Sequence, residues 1–179
     1  MRSLAVLFFK YSLLVAIPWL VGCGENPSPG KDFEGSIEKF FVEPKGEPTG
    51  LERHGKVIAL DPVRRTLDAV HDELPVEIRA RRPDEVGTIA LISCETRLVG
   101  RYIGIGGAYA HDCTVTIVDA SSQALMGYTG AQNTPPRKVV FGFFPHTASR
   151  PTGRVAAAIA DLPEPKTQKR SDDAVTKRE

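Results

Sequence analysis

Aromatic side chains are scarce in this chain of 179 residues: Phe, Tyr and Trp together make up 7%. That is thin material for a base-stacking platform on single-stranded nucleic acid. An excess of one charge is missing too. Setting aside Arg2 and Lys10 at the amino terminus leaves 21 of the 23 basic residues against 22 acidic ones. A near-neutral body lacks the phosphate-neutralising charge of a nucleic-acid binder, so no nucleic-acid partner is assigned. The four histidines, His54, His71, His111 and His146, show no metal-ligand spacing, and none of the three cysteines stands in a close pair. No metal and no cofactor are therefore assigned. The glycines of "GRYIGIGGAY" miss the dinucleotide spacing, and no Lys-Ser/Thr follows them. Ser121 and Ser122 lack the elbow sequence of a hydrolase, and His111 and Asp112, adjacent on a strand, point to opposite faces. No catalytic residue is assigned. A long uninterrupted apolar run is absent as well, because Lys10 splits the hydrophobic amino terminus below the length of a membrane-spanning helix.

What the amino terminus does contain is the pattern of an export signal. Arg2 and Lys10 supply positive charge, "YSLLVAIPWL" supplies an apolar stretch of signal-peptide length, and Pro18 falls near its end. Leu20, Val21, Gly22 and Cys23 follow. This run resembles the lipobox of bacterial lipoproteins. The resemblance implies cleavage before Cys23, diacylglycerol on its sulfur and acylation of the new amino group. Two or more acyl chains anchor stably where one binds only marginally. Gly24 follows the cysteine instead of Asp, which in a Gram-negative envelope implies the periplasmic face of the outer membrane. The alternative is an uncleaved signal anchor with Cys23 at its edge.

Beyond Cys23 the chain divides by composition. Residues 23–50 carry Pro27, Pro29, Pro44 and Pro48 among glycines and charges and read as an extended tether. Within them "FEGSIEKFFVE" spaces Phe33, Ile37, Phe40 and Phe41 as a short helix docking on the main body. Residues 51–163 form one domain, and 164–179 a disordered, mixed-charge tail. Strands are expected at "KVIALD", "TLDAVH", "TIALISC", "RLVGRYI", "CTVTIVD", "ALMGYTG" and "KVVFGFF". Thr152 is placed to cap a helix through "GRVAAAIADL", with Val155, Ile159 and Leu162 on one face and Pro163 beyond. The fold class is β-rich, an all-β sandwich, a partly open barrel or an α+β sheet. Its strands are expected to be antiparallel, with one C-terminal helix, because the connections are short.

With Cys23 assigned to lipid, Cys94 and Cys113 remain as an even pair in a compartment where disulfides persist. Alternation puts Cys94 on the face of Ala90 and Ile92, and Cys113 on that of Val115 and Ile117. Both sulfurs thus point to the side that should be buried, and "GRYIGIGGAY" becomes a hairpin connection inside the closed loop. Arg79, Arg81 and Arg82 form the basic run "RARR", a candidate anion-binding surface that Asp84 and Glu85 neutralise locally. The stretch "LPVEIRARRPDEVGTIALISC", with "VGRY", "CTVTIVDASS" and "TPP", resembles a group of short exported bacterial proteins over residues 56–163. That likeness implies strand-and-turn architecture and carries no activity. The expected function is a lipid-anchored envelope module, non-enzymatic, binding an envelope protein or cell-wall component. A periplasmic hydrolase or transferase is the alternative.

Overall fold

The computed structural model describes residues 33–101, 106–134 and 145–165. The expectations for the signal peptide, for Cys23, for the strand "KVVFGFF" and for the tail from residue 166 lie outside these residues. The described chain is built on one open, mixed sheet with a C-terminal helix, a β-rich α+β fold.

The described residues form six strands: β1 (Lys56–Asp61), β2 (Thr66–Leu67), β3 (Val86–Arg101), β4 (Gly107–Asp119), β5 (Leu125–Asn133) and β6 (His146–Thr147). The order is β2-β1-β3-β4-β5, with β6 pairing β4 beyond the end of β5. The pairs β1–β2, β3–β4 and β4–β5 are antiparallel, as expected, whereas β1–β3 and β4–β6 are parallel. The parallel β1–β3 pair needs a crossover, which residues 62–85 provide. They hold β2, a four-residue helix α1 (Val70–Glu73) and an extended piece whose Ala80 donates to Val57 on the outer edge of β1. The segment "TLDAVH" is therefore a two-residue strand followed by the start of α1. "TIALISC" and "RLVGRYI" run together as β3, whose residues to Arg101 are described.

Alternation along β3 and β4 sorts their side chains into two faces. On one face, Ala90, Ile92, Cys113, Val115 and Ile117 pack beneath α1 and α2 (Thr152–Ala160), together with Val155, Ile159 and Leu162. These last three recur at the spacing that gives α2 its single apolar side. Thr152 is the first residue of α2; Pro151 holds the cap position, and no side chain closes the cap. Proline suits a helix start because the amides there have no partner within the helix.

On the other face, Ile58, Leu60, Ile89 and Val118 are covered by Phe33 and Phe40, whose rings meet edge to face at 6.3 Å. The docking expected of "FEGSIEKFFVE" is present, as a 3-10 turn at Ile37–Phe40. The supposed tether is correspondingly shorter than its composition implies. Phe33 and Phe40 are buried, and the exposed residues 45–50 run beside the start of β5, where Leu125 donates to Lys45 and Gly50 to Met126. Burying two phenylalanines offsets the entropy of ordering a segment rich in proline and glycine.

Candidate functional site

The second face of the sheet is divided. Phe33 and Phe40 close the half nearest β1, while no described residue covers the half towards the end of β3 and the start of β4. Ser93, Glu95 and Arg97 of β3 alternate onto this open half, beside Asp112 and Thr114 of β4, and together they line a depression of about 210 Å³. Tyr128 and Gln132 of β5 extend it, being the cross-strand partners of Thr116 and Asp112. Tyr128 is 57% exposed. Glu95 and Asp112 face each other directly across the two strands. Like charges so placed disfavour the sheet, a cost tolerable only where water or an opposite charge reaches them. The depression is smaller than a cleft that engulfs a small molecule and is open to solvent. A polar sheet face with one exposed tyrosine and charges of both signs suits contact with another surface instead.

Disulfide Cys94–Cys113 lies under this site. The two residues are direct cross-strand partners with a Cα–Cα distance of 4.0 Å. Both sulfurs belong to the α2 side of the sheet, as alternation predicts. Arg150, just before α2, donates from Nε to Cys94 Sγ at 3.1 Å and from Nη2 to Asp68 Oδ2 at 2.5 Å. Asp68 Oδ1 accepts from the Val70 amide at 2.9 Å and so holds the start of α1. One guanidinium thereby links the disulfide, the crossover and the lead-in to the last helix.

A second polar group gathers where β3 begins and β4 ends. Asp119 Oδ2 lies 2.7 Å from Nδ1 of His54, while its Oδ1 accepts from the amides and hydroxyls of both Ser121 and Ser122. Burial alone would raise the Asp119 carboxyl. The bonds from Ser121, Ser122 and His54 outweigh it and hold the group well below the usual carboxylate range. The residue types are those of a hydrolytic triad, but the wiring differs. Both hydroxyls donate to the acid, and Nε2 of His54 faces Glu52 at 3.8 Å. A triad needs the hydroxyl on the histidine. Asp119 instead closes the β4–β5 turn, in which Gln123 takes a positive φ of 61°. His54 is fixed by its backbone as well: its amide donates to Thr88 Oγ1, which donates back to the His54 carbonyl.

The remaining sequence candidates are dispersed. Arg79 donates to the Asp72 carbonyl, Arg82 pairs with Asp84 at 3.1 Å, and Arg81 is exposed with its amide bonded to Glu85. Asp84 and Glu85 thus provide the local neutralisation expected of the run. His111 lies 3.5 Å from Thr96 Oγ1, and Asp112 faces the other way. His71 is buried beside Phe33 and accepts from the Ala59 amide on Nδ1. Among the described residues there is no group of three His, Cys, Asp or Glu side chains placed to hold a metal ion, and no helix long and apolar enough to cross a membrane. The His54–Asp119 pairing, 65 residues apart, had no local signal in the sequence. The turn it closes did have one, in Asp119 followed by two serines. Comparison with protein-family models, with curated proteins and with solved structures gives no match to this chain.

Proposed function

We propose that this protein is an exported envelope lipoprotein, anchored through acyl chains on Cys23, whose body binds a protein or cell-wall component and performs no chemistry of its own. The observation that carries the reading is the open half of the sheet, where Ser93, Glu95, Arg97, Asp112, Thr114 and Tyr128 are displayed on paired strands. Strands pinned by a disulfide hold such a surface in a fixed shape, and a preformed surface loses little entropy on binding. The disulfide itself accords with an oxidising compartment and the lipobox-like run with attachment.

Two measurements test this. Cells are labelled with radioactive palmitate while expressing the wild-type chain or Cys23→Ala. Label on the wild type and none on the variant is expected; equal lack of label removes the anchor. The wild-type chain and a Thr114→Arg/Tyr128→Ala variant, which leaves the edge of β3 unchanged, are then cross-linked in the same cells. Loss of the wild-type adducts in the variant is expected, and an unchanged pattern rejects the open face as the binding surface.

A further inference from the structure

Among the described residues, none pairs with the outer edge of β3 past Leu91. β1 pairs with β3 from Val86 to Leu91, yet β3 continues to Arg101. The 4.0 Å Cα separation of Cys94 and Cys113 marks them as a non-hydrogen-bonded antiparallel pair. Alternation then turns the backbone groups of Ser93, Glu95 and Arg97 towards β4, and those of Cys94 and Thr96 outward. Among the described residues no backbone bond from a turn or loop reaches these outward groups, and 95–101 are exposed throughout. Leu98 and Val99 are 47% and 42% exposed on the same stretch. An edge of this length, with apolar residues on it, is what folded proteins normally cover or blunt.

The sequence of that edge is complementary to itself. Glu95 and Arg97 flank Thr96. A second copy laid antiparallel, with Thr96 against the partner's Thr96, brings Glu95 opposite the partner's Arg97 and Arg97 opposite the partner's Glu95. Thr96 points its backbone outward, so the central pair exchanges two hydrogen bonds. The two Glu–Arg pairs then fall at the closely spaced positions, where cross-strand side chains interact best. In the same register Leu98 faces the partner's Cys94, and Val99 the partner's Ser93.

We infer that the chain self-associates as a two-fold dimer through the free edge of β3 over Ser93–Val99, with Thr96 on the axis. This goes beyond the proposed anchoring and binding role and does not depend on it. Pairing continues one sheet into the next and sets the two open polar halves side by side.

The test uses the full chain, purified with its disulfide intact in detergent, with protein mass read by light scattering through a dilution series. A dimer is expected for the wild type. Glu95→Arg and Arg97→Glu each place like charges opposite one another twice, weakening the dimer about tenfold or more. The reciprocal double variant Glu95→Arg/Arg97→Glu restores it. Thr96→Cys, whose backbone spacing of about 5.5 Å across the axis suits a disulfide, forms covalent dimers in greater yield than Ser93→Cys. A wild type that stays monomeric at every concentration overturns the inference. So does a dimer indifferent to the single charge reversals, a double variant that fails to recover, or equal cross-linking at positions 93 and 96.

Discussion

Removing Arg150 should harm the fold more than neutralising the acid it binds, although the two share one ion pair. Asp68 has a side chain with no solvent exposure, while that of Arg150 is 29% exposed. Arg150→Met strands Asp68 Oδ2, which has no water to turn to. Breaking a buried pair from this side costs roughly 3–5 kcal/mol, and the partial exposure of Arg150 places the value near the low end, about 3 kcal/mol. Asp68→Asn leaves the Val70 amide with its acceptor on the side-chain oxygen and frees a guanidinium that can swing outward. The loss should be about 1 kcal/mol, that of a single hydrogen bond. For a body of this size the difference of about 2 kcal/mol separates the melting temperatures by roughly 4–8 °C. Urea unfolding of the oxidised full chain, followed by far-ultraviolet circular dichroism, measures both variants. Equal slopes of free energy against denaturant are needed for the comparison. The double variant Asp68→Asn/Arg150→Met should be more stable than Arg150→Met alone. If Arg150→Met costs no more than Asp68→Asn, the reasoning from unequal burial is wrong.

Acid should weaken the fold through His71. Burial lowers its pKa from 6.5 to about 4, only partly opposed by the charge of Asp72. The folded chain binds this proton less readily than the unfolded one, so the contribution is complete above pH 6.5 and is lost as pH falls towards 4, about 3 kcal/mol in all. Denaturant titrations at pH 7 and 4.5 should show His71→Asn losing less stability between the two than the wild type; identical losses would refute the assignment. Gly87 is the extra residue in the β1–β3 register, and a Cβ there would meet the His54 carbonyl oxygen at 2.1 Å. Gly87→Ala should cost about 2 kcal/mol or more, whereas Gly127→Ala, which meets the movable end of Leu51 at 2.9 Å, should cost less. Thermal melts of the two variants would reverse the ranking if backbone contact were not the cause.

The central sheet could be read in the sequence because β3 and β4 are half-buried strands, and "TIALISC" and "CTVTIVD" alternate cleanly. That alternation also identified the face of the disulfide. The docked phenylalanines were readable for the same reason, as a local spacing of large apolar residues. The parallel β1–β3 pair was not. Pro75 and Pro83 interrupt its crossover, leaving a helix of four residues with too little periodicity to recognise. The open face escaped notice because Ser93, Glu95, Arg97, Asp112 and Thr114 become a site only once the strands are in register and half of that face is seen to lack a cover. Arg150 is similarly silent: its partners stand 82 and 56 residues away.

Those long spans bear on how the molecule is made. Arg53 donates its amide to the Pro163 carbonyl and its guanidinium to Glu164, while Arg150 reaches back to Asp68. The apolar underside of β1, β3 and β4 is covered only in part, by α1 and the crossover, until α2 arrives. Closures of this range are entropically late steps and fold slowly. A growing chain therefore stays uncommitted until α2 and the residues just after it have been synthesised, and maturation of the sheet waits on them.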